Sequence, residues 1–117
     1  MTAGKYSFAI EQGATFTRAI TYTDAAGAVP DLTGYTARMK IRPTKESATV
    51  LVSLTDGAGI TLAATAPNIT ISISATDTAA LDMTDGQIAV YDLEIVSGSV
   101  VTRVIEGNIN FDAEVTY

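Results

Sequence analysis

A strict period of two governs the last third of this chain. In Gln87–Tyr117 (QIAVYDLEIVSGSVVTRVIEGNINFDAEVTY), Tyr91, Leu93 and Ile95 alternate with Val90, Asp92 and Glu94. Further on, Ile109, Phe111, Ala113, Val115 and Tyr117 alternate with Asn108, Asn110, Asp112, Glu114 and Thr116. Residues two apart on a strand share a face, so the pattern describes strands with one dry and one wet side. It reads as two hairpin arms joined at Gly98-Ser99, then a further strand running to the C-terminus. Because the alternation reaches the final residue, residues 1–117 are expected to form one domain with no tail.

The same period recurs upstream. Tyr6, Phe8 and Ile10 mark a first strand, and a second runs from about Ala14 to Thr23 with Phe16, Ile20 and Tyr22 on one face. Arg18 interrupts that inward row, which predicts a place near a rim or beside a carboxylate. Tyr35, Ala37, Met39 and Ile41 alternate with Thr36, Arg38, Lys40 and Arg42 until Pro43 ends the run. Further strands are expected over Val50–Thr55, Ile60–Leu62 and Ile69–Ile73. Turns fall at Asp24–Gly27, where Gly supplies positive φ, and at Asp31–Gly34, Asp56–Gly59 and Asp85–Gly86. Between Ser74 and Leu81 the period of two is lost, and Ser74 is placed to cap a single helical turn that crosses between sheets. About nine short strands with frequent turn signals predict an all-β antiparallel sandwich or barrel.

Composition narrows the chemistry. With neither Cys nor His in the sequence, disulfides, thiolate ligands, imidazole bases and histidine pH switches are all excluded. A Ser nucleophile would need a buried Lys as its base, and Lys5, Lys40 and Lys45 lack the apolar flanks that lower a lysine pKa. The reading is therefore not an enzyme, and no cofactor is implied. A net charge of −6 disfavours nucleic acid as a partner. No apolar run approaches the ~18 residues that span a bilayer, and the N-terminal MTAGKYSFAIEQG has no signal-peptide core. The expectation is a protein made in the cytoplasm, with neither membrane nor nucleic-acid partners.

Several residues are candidates for a site. Arg38, Lys40 and Arg42 form a basic stripe on an acidic chain, either a docking face for an acidic neighbour or the cross-strand partners of Asp92 and Glu94. The second reading is favoured, since such pairs contribute only about 0.2–1 kcal/mol each and also guard an edge strand. Asp92 and Glu94 have the spacing of a glycosidase carboxylate pair, but no Trp is present to stack a sugar. Asp77, Asp82 and Asp85 lack the ligand spacing of a calcium loop. Asn68-Ile69-Thr70 matches a glycosylation acceptor, a match without meaning in the absence of a signal peptide. Glu106, beside a Gly107 read as marking a bulge, is expected to pair with Arg103 or Arg18 as a fold-specifying ion pair.

Four segments carry a family resemblance: Ile20-Thr-Tyr-Thr-Asp-Ala-Ala-Gly27, Asp31-Leu-Thr-Gly-Tyr-Thr-Ala-Arg-Met-Lys-Ile-Arg42, Tyr91-Asp-Leu-Glu-Ile95 and Val101-Thr-Arg-Val-Ile-Glu-Gly107. Together, over roughly residues 14–115, they resemble small virion proteins of tailed bacteriophages. The order strand, D-x-x-G turn, D-L-T-G turn, strand is similar to the N-terminal immunoglobulin-like domain of phage baseplate upper proteins. Residues 1–117 are expected to hold no counterpart of those proteins' stalk or receptor-binding region. The resemblance implies an immunoglobulin-like antiparallel β-sandwich with one short helical crossover. It also implies a structural role in the virion, as a tail, baseplate or fibre-attachment connector that contacts other virion proteins in multiple copies or as a homo-oligomer. A capsid decoration protein is the alternative placement, and a carbohydrate-binding adhesin ranks below both. The family has no catalytic residues to carry over.

Overall fold

The computed structural model describes residues 4–115. Its elements in chain order are β1 (Gly4–Lys5), β2 (Phe8–Glu11), β3 (Phe16–Ile20), β4 (Thr36–Arg42), β5 (Val52–Asp56), β6 (Gly59–Leu62), β7 (Ile69–Ile73), α1 (Ala75–Ala79), β8 (Ile88–Ser97) and β9 (Val100–Asp112). The strands join in one sheet of order β1-β9-β8-β4-β5-β6-β7-β3, and β2 lies on β9 beyond β1. Alternation built these strands as the sequence suggests. In β4, Ala37, Met39 and Ile41 are buried while Thr36, Arg38 and Lys40 are exposed, and in β7 Ile69, Ile71 and Ile73 face the core.

The protein is mostly β, but its sheet is mixed where an antiparallel one was expected. β1 and β2 both run parallel to β9, and β5 pairs parallel with β6 over two positions. A period of two reports that a strand buries one face and says nothing of its direction. At the β5–β6 corner the chain turns through Gly57 (φ 77°) and Gly59 (φ 103°) and leaves in its original sense. The N-terminal arm is tied to β9 by no short turn, so no hairpin imposes antiparallel pairing on it.

The sheet curls until its two ends meet through side chains. The Phe8 ring packs edge-on against Phe16 at 5.8 Å between centroids, although β2 and β3 are not neighbours in the ladder. Arg18 stands at this seam. It is paired in register with the buried Ile71 and so belongs to the inward row, but its guanidinium lies over the Phe16 ring, 4.6 Å from the centroid. It occupies the rim, and the alternative partner Glu106 is not beside it. Such a cation–π contact at an exposed site contributes about 0.5–1 kcal/mol. The short α1 is capped and tied to the turn before β3: Ser74 Oγ accepts from the Asp77 amide, and the buried Thr78 hydroxyl donates to the Ala14 carbonyl and accepts from the Gly13 amide.

Asn68 is fully buried. Its Oδ1 accepts from the Tyr22 amide at 2.7 Å, and its Nδ2 donates to the carbonyls of Tyr22 (3.0 Å) and Pro30 (3.3 Å). The side-chain amide thus continues the β3–β7 ladder one step past the last backbone pair, Ile20 with Ile69. Buried in this way, Asn68 has no free amide for a sugar, which removes the glycosylation reading.

The terminal strands differ from expectation in two ways. β9 is one continuous strand of 13 residues ending at Asp112, with no separate strand after it; Thr116 and Tyr117 lie outside the described residues. The bulge falls at Val104. Leu93 pairs with Ile105 and Glu94 with Arg103, leaving Val104 unpaired, and both Val104 and Ile105 are buried. Gly107 has another role. A Cβ built there would run into the Tyr6 carbonyl, because the arm between β1 and β2 crosses directly over it. Tyr6 is held in this crossing by its amide, which donates to the Glu106 carbonyl, and by its carbonyl, which accepts from Tyr91 Oη at 2.9 Å.

Two consequences can be measured by chemical denaturation. Asn68→Ala leaves the half-buried Tyr22 amide and carbonyl without their partner and is expected to cost about 1–3 kcal/mol of stability. Gly107→Ala is expected to cost a similar ~1–3 kcal/mol by overpacking. Its signature in hydrogen exchange is loss of protection at Tyr6 and Phe8 before the rest of the sheet.

Candidate functional site

Arg38, Lys40 and Arg42 project from the wet face of β4, opposite Glu94, Asp92 and Val90 of β8 in register. Beyond β8, the wet face of β9 presents Arg103 and Glu106. In a regular strand residues three apart point to opposite faces, and the unpaired Val104 is what brings these two to the same one. The loop of residues 43–49 bends back toward this surface, pinned by Arg42 Nη1 donating to the Ser47 carbonyl at 3.0 Å. Lys45 on that loop reaches Glu106 at 3.7 Å. Loop and sheet enclose a cleft of about 430 Å³.

Glu106 is its electrostatic centre. Three cations converge on this carboxylate: Lys5 at 3.1 Å, Lys45 at 3.7 Å and Arg103 at 3.7 Å. The hydrogen bond from Lys5 first, then the charges of Lys5, Lys45 and Arg103, hold its carboxyl below the usual carboxylate range. Arg103 also lies 3.5 Å from Asp92, and Arg38 Nε donates to Glu94 at 2.7 Å. The Arg103 partner expected for Glu106 is therefore in place, and two lysines distant in sequence join it. Beneath the cleft, Tyr91 turns its side chain to the opposite, dry face of β8, where burial, with a smaller contribution from the nearby Tyr6, pushes its phenol pKa up. The neutral phenol is thereby kept as the donor to Tyr6.

Of the seven Lys and Arg residues in the sequence, five line the cleft, and Lys5 sits at its margin on Glu106. Against five cations the cleft sets three carboxylates, on a chain of net charge −6. Arg38 and Arg103 have carboxylate partners, whereas Lys40 and Arg42 make no ion pair among the described residues. The two carboxylates of the glycosidase reading each face a guanidinium. The acidic residues weighed as a calcium loop are placed otherwise: Asp85 accepts from the Ala113 amide, and among the described residues no three such groups converge. The cleft thus carries more cationic than anionic side chains on a chain of negative net charge.

No protein-family model matches this sequence, and a search of curated proteins finds no match.

The Glu106 cluster gives a pH prediction. A carboxyl lowered by folding contributes stability that is present above its unfolded pKa and lost as pH falls through the folded value. Glu106→Gln is therefore expected to be destabilised against the parent protein at pH 7, with the difference shrinking as both are taken below the ordinary carboxylate range. Urea midpoints at a series of pH values measure it; a gap independent of pH would show that the three cations do not act on this group.

Proposed function

We propose that this chain is a structural subunit of a tailed-bacteriophage virion, acting through protein–protein contacts as a tail, baseplate or fibre-attachment connector. We read its curled mixed sheet as a derivative of an immunoglobulin-like sandwich whose N-terminal arm has swung parallel to the last strand. The observation that carries the functional reading is the gathering of nearly all cations of an acidic chain onto one braced sheet face. We read that face as a recognition surface: Arg38 and Arg103 on it hold carboxylates, while Lys40 and Arg42 are left without an ion pair among the described residues. The phage-like segments support the placement: two of them, Asp31–Arg42 and Tyr91–Ile95, supply β4 and β8, the strands that carry the face. An adhesin ranks lower because, of the described tyrosines, only Tyr6 is exposed.

Quantitative mass spectrometry of purified particles from a host carrying the encoding phage or prophage tests this. A tail ring predicts about six or twelve copies per particle, by the closed symmetry of such rings. Hundreds of copies would move the protein to the capsid surface, and its absence from particles would end the virion reading.

A further inference from the structure

We propose that the cationic cleft receives the acidic end of a second copy of this chain, so that copies join head to tail. This rests on the assembly role above and adds the identity of the partner.

The complementary surface lies at the far end of β9. There Glu11 of β2 and Asp112 of β9 stand directly opposite each other in register, both exposed. Glu114 is fastened alongside by its amide, which donates to Gln12 Oε1, and Asp85 by its bond to the Ala113 amide. None of these four carboxylates meets a cation within ion-pair distance among the described residues. Like charges directly opposite on a ladder destabilise a sheet. The isolated chain thus carries an uncompensated anionic end and, in Lys40 and Arg42, uncompensated cations.

The two surfaces cannot satisfy each other within one molecule. Along β9 the distance from Glu106 to Asp112 is about 20 Å at ~3.3 Å per residue. Lys40 lies level with Asp92 and Glu106, and Arg42 level with Val90 and Asn108, which is still about 13 Å from Asp112 at ~3.3 Å per residue. Between molecules they fit: the cleft of about 430 Å³ has room for a few side chains, and its excess of cations faces the end where the carboxylates collect. A contact between two different patches of the same chain is heterologous, and repeating it closes a ring if the rotation allows. The three carboxylates in the cleft and the overall negative charge disfavour a nucleic-acid phosphate as the occupant.

Light scattering and sedimentation of the full chain at roughly 20 mM and roughly 0.5 M salt, where screening differs strongly, test the contact. The wild type is expected to form assemblies larger than a dimer at low salt that dissociate at high salt. Lys40→Gln/Arg42→Gln and Glu11→Gln/Asp112→Asn should each remain monomeric alone. Mixed in equal amounts they should stop at a 1:1 dimer, since one offers only an intact end and the other only an intact cleft. Thermal melting separates assembly from folding: the Glu11→Gln/Asp112→Asn variant should melt at or above the wild-type monomer in high salt, because a repulsion has been removed. A wild type that stays monomeric to about 1 mM at low salt overturns the proposal, as does either variant assembling normally. Binding of a short oligonucleotide or heparin in the cleft without self-association also overturns it, by making another polyanion the occupant. Presence of the chain in particles despite monomeric behaviour would leave the virion role standing, and self-association of a chain missing from particles would do the reverse.

Discussion

Val104 sets the phase of both faces of the longest hairpin. Upstream of it, Thr102 faces the core side of Ile95 and Arg103 faces Glu94 on the wet side; downstream, Ile105 faces Leu93 and Glu106 faces Asp92. Without the extra residue, every side chain from Ile105 to Asp112 would point to the opposite face. Ile109 and Phe111 would leave the core, and Glu106 would turn away from Arg103. The dry packing of β2 on β9 and the charged cleft on the reverse face thus follow from the same unpaired position.

A second constraint acts at Gly107. The N-terminal arm crosses the sheet there at a distance that leaves no space for a side chain. Its neighbours secure the crossing from both sides, with the Glu106 carbonyl accepting from Tyr6 and the Tyr91 phenol donating to it. Lys5 arrives at Glu106 only because the arm is held in this path. The apolar anchor of the arm and the electrostatic centre of the cleft are consecutive consequences of one backbone approach.

Strand existence was largely legible in the sequence, because alternation follows from burial of one face and is written residue by residue. The helical turn capped by Ser74 was legible for a similar local reason. Strand direction was not, since parallel and antiparallel strands share the same period; hence the mixed sheet departs from the antiparallel expectation. The bulge expected at Gly107 lies at Val104 instead. The signal that could have found it is the adjacent apolar pair Val104-Ile105, which breaks the alternation of a strand that otherwise keeps it. Arg38, Lys40, Arg42, Asp92 and Glu94 could be assigned to one face from spacing alone. Lys5 and Lys45 could not, because their approach to Glu106 depends on an N-terminal crossing and a loop that no local pattern encodes. Asn68, which looked like a surface acceptor in a three-residue motif, is identified as a core clamp only by its bonds to Tyr22 and Pro30.

The seam between β2 and β3 carries a different implication. Among the described residues β3 has no partner on its outer side, so its unpaired backbone is the kind of edge on which a foreign strand adds. Arg18 lies across that opening, its charge stacked on two phenyl rings. An incoming strand would have to strip the guanidinium from the rings and bring its own backbone against a fixed positive charge. Growth by endless sheet continuation, the route to fibres, is obstructed at this edge, where the curled sheet stays open.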